Sequence, residues 1–431
     1  MGLRRAEELY DKVFFEYGDD SVAQLGGVHL ACEQASNVLT KVLEWGRLMS
    51  YLEQSTRYIA YDQRLGGRYR YHRDPEILGS PLGTRYIADM DRIFDSYSGL
   101  VPQMQEFFRE VSPKDPNDSD FAYRTAIKAR ALDAIRGMLP AASLSNLGIY
   151  GTGQAYEALL LRMRAHPLPE SRTYADLMLT ELRKVVPSFL KRVDLPDRGV
   201  RTSAYLADTD DSMDAMVDQL FAGETGGVVD DDVVDLIDFD PDGEIKTVAA
   251  MLYPTPRCRS APSRHGSAPC RPTTGSTSSA YVGHRENRRQ RPGRAFERTA
   301  YRFDVLSDYG AFRDLQRHRM LTIEWQPLSP RPRLRAARRR AGGRRRGPVP
   351  VGDGALGVAA RCPARGPPDQ ASYAVSLAYR VRYSMQFNAR EAMHMLELRT
   401  TPQGHEAYRR VCQRMHTQIA ERAGHAPSPR R

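Results

Sequence analysis

Apolar residues recur with a helical period in four stretches of the chain, which predicts four amphipathic helices. The stretches are 33–45, 121–138, 153–164 and 173–193. In the first two, the residues expected to face inward are Val38, Leu39, Val42 and Leu43, and then Ile127, Leu132, Ile135 and Met138. A shorter helix, YGAFRDLQ at 309–316, is expected directly after the strand-like run YRFDVLS.

The acidic stretch 205–254 contains a pattern typical of a β-hairpin. Two runs, VVDLIDF at 233–239 and EIKTVAAMLY at 244–253, flank the sequence DPDG. An Asp-Gly turn commonly joins two antiparallel strands, so we expect both runs to be strands.

The same stretch leaves calcium binding open as an alternative. Its residues Asp238, Asp240, Asp242 and Gly243 match the start of a D-x-D-x-D-G loop. The twelfth position holds Ala249, where such a loop needs a bidentate Glu. We therefore favour the hairpin and expect no metal site.

Two segments, 255–283 and 330–368, are rich in Arg, Pro, Gly, Ala and Ser and have no helical or strand period. Residues 331–346 alone contain nine arginines and no acid, so the net charge of +10 falls to +1 without them. The basicity is local, which makes nucleic acid an unexpected partner. Three interpretations stay open: a disordered linker, a basic nucleic-acid-binding arm, and a shifted reading frame, which we favour.

The remaining composition indicates a globular protein of about two to three domains. Hydrophobic residues make up 41% of the 431 residues, and no run of eighteen apolar residues is present to cross a membrane. The N-terminus lacks the apolar stretch of a signal peptide. Five cysteines without a CxxC motif argue against a disulfide framework, so we expect a cytoplasmic protein.

A weak internal repeat divides the chain into two halves. LEWGRLMSYLEQS at 43–55 aligns without gaps with LQRHRMLTIEWQP at 315–327, and GQAYEALLLRMR at 153–164 parallels NAREAMHMLELR at 388–399. A period of about two hundred residues indicates duplicated domains rather than a solenoid. We expect an α+β fold made of two α/β repeats, each an antiparallel sheet packed with helices.

Arg317, His318 and Arg319 form a cationic cluster directly after the short helix at 309–316. Guanidinium groups bind phosphate and carbonyl oxygens through two parallel hydrogen bonds, and cations near a flavin ring tune its potential. The three side chains either line a cleft or form a solvated helix end, and these three residues alone favour the helix end.

These motifs resemble the signature of flavin-dependent thymidylate synthases (ThyX), R-H-R-x-x-S-x-N-E-x-S-x-R. The second half of the chain supplies its front as RHRMLT, and the first half supplies its back as SYLEQSTRY. The segments around both motifs, and the closing segment from Met385 to Arg410, are similar to the same family.

The resemblance implies an FAD site in the second half, formed by Glu297, Arg317, His318, Arg319, Asn388, Arg390 and His394. His394 stands where the family has an asparagine. The resemblance also implies a dUMP site, formed by Glu53, Ser55, Thr56, Arg57, Arg136, Arg162 and Arg399. The residues expected to act in catalysis are Ser55, His318 and Arg399. Hydroxyls beside an arginine fork suit a phosphate, although for Arg57 and Arg136 a plain surface charge is the alternative.

Each half departs from the family signature. In the first half, Trp45, Gly46 and Arg47 stand at the R-H-R positions, so this copy is expected to bind flavin poorly. In the second half, Glu324 and Trp325 replace the Asn-Glu pair. Because the losses are complementary, we expect one half to present flavin-binding groups and the other dUMP-binding groups in a shared site.

The activity that the resemblance implies is reductive methylation of dUMP to dTMP, with methylenetetrahydrofolate as carbon donor and NADPH as the reductant of FAD. The expected domains are a first repeat at 1–204, an acidic connector at 205–254 and a second repeat at 255–431. Two such chains would associate as a pseudo-tetramer. Two other functions stay open: a non-catalytic relative that binds flavin or nucleotide, and a basic nucleic-acid-binding protein.

Overall fold

A computed structural model of the chain describes residues 23–222, 232–254, 285–329 and 369–425, together with Glu8 and Lys12. The chain divides into two compact units. Of the described residues, the first unit contains 23–222 and 369–377, and the second contains those between 232 and 328 and those from 378 to 425. The irregular segments expected at 255–283 and 330–368 lie outside the described residues.

Three strands form an antiparallel sheet in the first unit: β1 (Gly27–Ser36), β2 (Met49–Glu53) and β3 (Leu144–Thr152). Their order is β1–β3–β2. The α-helices described in this unit are α1 (Asn37–Leu43), α2 (Pro75–Gly79), α3 (Gly83–Val111), α4 (Asp120–Ile135), α5 (Gly153–Ala165), α6 (Pro169–Arg183) and α7 (Arg201–Leu220).

The core of the first unit lies on one face of this sheet. Alternate residues of a strand point to the same side, and here Val28, Met49 and Ile149 are buried on that side. They pack with Leu39 of α1 and Leu159 of α5 in one hydrophobic cluster. The sheet therefore fixes where both helices begin.

A four-stranded antiparallel sheet forms the centre of the second unit, in the order β4–β5–β7–β6. Its strands are β4 (Val233–Phe239), β5 (Ala300–Asp308), β6 (Leu321–Trp325) and β7 (Arg380–Asn388). The helices described beside it are α8 (Gly243–Leu252), α9 (Tyr309–Gln316), α10 (Ala389–Arg399) and α11 (Glu406–Glu421). Together the two units confirm the α+β class with antiparallel sheets.

Four strands lead into a helix with no intervening loop. The last residues of β1, β3, β5 and β7 are also the N-caps of α1, α5, α9 and α10. These residues are Ser36, Thr152, Asp308 and Asn388, and each side-chain oxygen accepts a hydrogen bond from the backbone N–H three residues later. Such caps satisfy amide groups that the first helical turn leaves unpaired.

The two sheets share a strand order and a register. In the first unit β3 lies between β1 and β2, and in the second unit β7 lies between β5 and β6. Met49 is opposite Gly151 on β3, and Leu321, which the gap-free alignment matches to Met49, is opposite Phe387 on β7. The two strands that begin with Met49 and Leu321 are each five residues long.

The expected hairpin at 233–253 is wrong. Its first run is strand β4, which pairs with β5, but its second run is helix α8. Gly243, Thr247 and Val248 are the buried residues of that helix, and their spacing fits a helix. Asp240 starts the turn by accepting the Asp242 N–H, and its carboxylate also binds Lys246 Nζ at 2.6 Å. A lysine therefore occupies an oxygen that the calcium alternative needs.

The predicted helices are confirmed with shifted ends. The stretch 33–45 gives only α1, because its first four residues extend β1. The stretches 121–138 and 173–193 each end in a 3₁₀ turn, Arg136–Met138 and Pro187–Asp194. Pro187 has no N–H to continue α6. None of the helices in the described ranges is long and apolar enough to span a bilayer.

Candidate functional site

A cavity of about 460 Å³ opens in the second unit. It is lined by Arg291, Pro292, Glu297, Arg317, His318, Arg319, Met320, Asn388, Arg390, Glu391, His394, Leu398 and Arg399. Among these residues are all eight that the sequence assigned to a site in the second half. They come from three separate parts of the chain, so the fold brings together what the sequence keeps apart.

The Arg317–His318–Arg319 cluster reaches the cavity because α9 ends immediately before it. Arg317 is the C-cap of α9, and the His318 N–H donates to the Leu315 carbonyl at 3.2 Å. His318 is buried, whereas Arg317 and Arg319 are exposed. The cluster is therefore a cavity wall with a buried centre, which differs from the solvated helix end kept as an alternative.

Helix α10 lines the same cavity with one of its faces. Arg390, His394 and Leu398 are spaced four residues apart, a spacing that places side chains on one side of a helix. Asn388 begins the helix, and its side-chain oxygen accepts the Glu391 N–H at 2.9 Å. That oxygen holds the helix start, so the same side chain anchors the wall to strand β7.

The lining of the cavity carries a positive charge. Five arginines face two carboxylates, those of Glu297 and Glu391. Arg390 Nη1 lies 2.7 Å from Glu297 Oε1, and its Nε donates to the Pro292 carbonyl. Hydrogen bonds from Arg294 and Arg390 hold the pKa of Glu297 below its usual range. A ligand that fits this lining is an anion, because phosphate and carbonyl oxygens are what guanidinium forks bind.

His318 has a partner at each of its two ring nitrogens. Its Nδ1 lies 2.7 Å from Glu391 Oε1, and its Nε2 lies 3.0 Å from Arg399 Nε. Burial lowers the pKa of His318, and this effect outweighs the hydrogen bond to Glu391, which raises it. His318, Glu391 and His394 also place ligand atoms within 4.8 Å of one another, a spacing that a metal ion could use.

In the first unit, two arginines assigned to dUMP meet at one carboxylate. Arg57 Nε and Arg136 Nε lie 3.0 and 3.2 Å from Asp133 Oδ1. Thr56, which precedes Arg57, is buried, and Ser55 Oγ accepts the Arg57 N–H at 3.3 Å. The loop after β2 and the end of α4 therefore converge, as a phosphate-binding site at these residues requires.

Two other assigned residues of the first unit have different surroundings. Glu53 is buried with Lys41, whose Nζ lies 3.3 Å from Glu53 Oε2 and also binds Glu44. Arg162 lies over the ring of Trp45, with its guanidinium carbon 5.2 Å from the ring centroid, and burial lowers its pKa. Trp45 stands where an arginine would begin the R-H-R motif, so an aromatic–guanidinium pair occupies that position in this unit.

Sequence reasoning missed the residues that hold the assigned ones in place. Asp133 orders two arginines, Lys41 neutralises Glu53, and Glu391 binds His318. For Glu391 a signal was present, because Asn388-x-x-Glu391 has the form of a capping box. That motif predicts only a helix start, and the partner of the carboxylate comes from a distant part of the sequence.

Comparison with known proteins identifies the family. The family model described as "thymidylate synthase complementing protein" matches residues 2–188 and 354–425, more than half of the chain. A UPF0159 protein of Chlamydia muridarum is 35% identical over 95% of this chain and 78% of its own length. UPF0159 proteins of Chlamydia pneumoniae and Thermoplasma acidophilum are 35% and 31% identical, over 95% and 96% of this chain and 77% and 86% of theirs.

Among solved structures, the chain is similar to the UMP/dUMP methylase PolB from Streptomyces cacaoi bound with 5-Br dUMP. The identity is 19%, over 46% of this chain and 95% of that one, and the TM-score is 0.30. A similarity this weak transfers no role to any residue. The family assignment depends instead on the matched residues and the UPF0159 relatives, and by both measures the chain belongs to the thymidylate synthase complementing protein family.

Proposed function

We propose that this chain binds FAD in the cavity of the second unit and methylates dUMP to dTMP, with methylenetetrahydrofolate and NADPH as co-substrates. The supporting observation is that the eight assigned residues from three parts of the second half line one cavity. Its volume of about 460 Å³ lies in the range of small-molecule sites, roughly 300–1,000 Å³.

The residues of the cavity suit a flavin dinucleotide. Exposed Arg317 and Arg319 offer guanidinium forks to a diphosphate, and Arg390 is already oriented by Glu297. A cation beside the flavin pyrimidine ring stabilises the negative charge of its reduced form. When bound, the flavin would supply the hydride, which it receives from NADPH.

The protein's part of the reaction is electrostatic. The one-carbon unit of methylenetetrahydrofolate would replace the hydrogen at C5 of the uracil, and that hydrogen would leave as a proton. The folate carrier would leave as tetrahydrofolate, and the hydride would reduce the unit to a methyl group. Arg399, assigned to dUMP, would stabilise negative charge on a uracil oxygen and so favour the enolate-like form whose C5 attacks the one-carbon unit. A fixed guanidinium does this without reorganisation, which is the main source of catalysis in preorganised sites.

Cysteine chemistry is not part of this proposal. The free cysteines among the described residues, Cys32 and Cys412, are both buried. Burial raises the pKa of each thiol to about 12, which leaves very little thiolate at neutral pH. Neither lines the cavity, so neither is placed to attack a nucleotide there.

Purified full-length chain tests the proposal in two steps. Flavin absorbance after purification, and release of tritium from dUMP labelled at C5, are both expected. The variant R390A should lose flavin, whereas R382A, which removes an exposed arginine paired with Asp304 outside the cavity lining, should keep it. Flavin without tritium release would instead identify a non-catalytic relative. A preparation without flavin, even after incubation with FAD, would refute the proposed site.

A further inference from the structure

Glu391, His318 and Arg399 form a chain of contacts through the cavity wall. Glu391 and Arg399 lie on α10, and His318 joins them from the segment after α9. Arg399 has two further restraints, because its Nη1 lies 3.5 Å from Asp314 and its guanidinium lies over the ring of Tyr408. Its orientation therefore depends on partners that belong to three elements.

The hydrogen bonds define how His318 is protonated. Arginine stays protonated in proteins, so Arg399 Nε must donate, and His318 Nε2 must accept. A neutral imidazole that accepts at Nε2 carries its proton on Nδ1, which is the atom that faces Glu391. Burial and the neighbouring Arg399 both lower the pKa of His318, in agreement with a neutral ring.

We propose that Glu391 is a positioning residue: it holds His318 as the Nδ1–H tautomer, and His318 in turn fixes the Arg399 guanidinium towards the cavity. Without the carboxylate, the proton can move to Nε2, where it would face the Arg399 N–H. Two donors would then oppose each other, and Arg399 would turn away. The identity of the ligand that Arg399 meets rests on the proposed function, but the tautomer does not.

A metal site at His318, Glu391 and His394 is the competing use of the same atoms. Two observations favour positioning. Both ring nitrogens of His318 already face hydrogen-bond partners, and the cavity has five arginines among its lining residues. A divalent cation would have to displace Arg399 from Nε2 and remain among those positive charges.

The tautomer is measurable in the full-length protein without any ligand, by ¹⁵N NMR of labelled histidines. The variant H318Q identifies the His318 signals by their loss. We expect Nδ1–H in the unmodified chain and in E391Q, whose amide oxygen still accepts, and an altered tautomer pattern in E391A. The control E406A removes an exposed carboxylate of α11 and should change nothing.

Binding of dUMP to the flavin-loaded protein gives the second readout. We expect about a tenfold weaker affinity in E391A, the lower end of the loss seen when the partner of a metal-ligating histidine is removed, and about twofold or less in E391Q. An unchanged tautomer in folded E391A would overturn the inference. So would added Zn²⁺ that binds His318 and displaces Arg399 from it. Absence of flavin or dUMP binding with the expected tautomer change would count against the proposed function alone.

Discussion

Replacement of Lys41 by methionine should destabilise the first unit strongly. Lys41 lies between the carboxylates of Glu44 and Glu53, and the three side chains are only 1–2% exposed. Removal of the ammonium group leaves two carboxylates in a buried site without their shared cation. Breaking a buried ion pair from one side costs about 3–5 kcal/mol.

The two tryptophans make this effect measurable in one unit. Trp45 belongs to the first unit and Trp325 to the second, and the chain has no others. In a W325F background, Trp45 fluorescence therefore reports urea unfolding of the first unit. With a urea dependence of about 2 kcal/mol per M, K41M should lower the midpoint by roughly 1.5–2.5 M.

A matched lysine provides the control. Lys184 pairs with Glu181 at the surface, where the two side chains are 63% and 56% exposed. Such a pair contributes at most about 1 kcal/mol, so K184M should move the midpoint little. The triple variant K41M/E44Q/E53Q should recover part of the loss, because none of the three side chains then carries a charge. Equal shifts of the midpoint in K41M and K184M would refute the reasoning. Loss of dUMP binding in an E53Q variant of unchanged stability would show that Glu53 contacts the nucleotide.

Three further predictions concern pH and the two flavin positions. Burial lowers the pKa of His166 to about 4 from an unfolded value of 6.5, so the stability of the first unit is highest above pH 6.5 and falls as the pH drops towards 4. Between pH 7 and pH 4.5, the free energy of unfolding followed by Trp45 fluorescence should decrease by up to about 3 kcal/mol, and less in H166Q. Identical pH profiles of the two proteins would contradict this. R390A should lower flavin content while the free energy of unfolding changes by less than about 1 kcal/mol, since the Arg390–Glu297 pair is partly exposed. A large loss of stability would show a structural role. Because Trp45 stands at the first R-H-R position of the first unit and packs against Arg162, titration with FAD should saturate at one FAD per chain. Binding of two FAD per chain would disprove this.

The sequence predicted local structure well where one short-range pattern decides it. The strand–helix pair at 301–316 and the helix at 153–164 were confirmed, because alternation or helical spacing persists over their whole length. At 244–253 the same approach failed. The Asp-Gly signal fits a hairpin turn and a helix start equally, and the pairing of β4 with β5 decides between them.

The candidate site could be predicted only in part. The resemblance identified residues that line the cavity, since each of them stands at a position of the family motif. It did not identify Glu391, Asp133 or Lys41, because each is defined by a partner that is distant in sequence or buried. The shared site between the two repeats and the domain limits at 204 and 254 stay predictions.

Because no loop separates β7 from α10, the position of α10 at the cavity is fixed by the end of the strand. One residue inserted after Asn388 would advance α10 by about 100° around its axis, which would turn Arg390 and His394 out of the wall. An insertion or deletion at this junction would therefore disrupt the cavity wall. An engineer who wishes to graft a tag or a sensor should leave residues 386–391 uninterrupted.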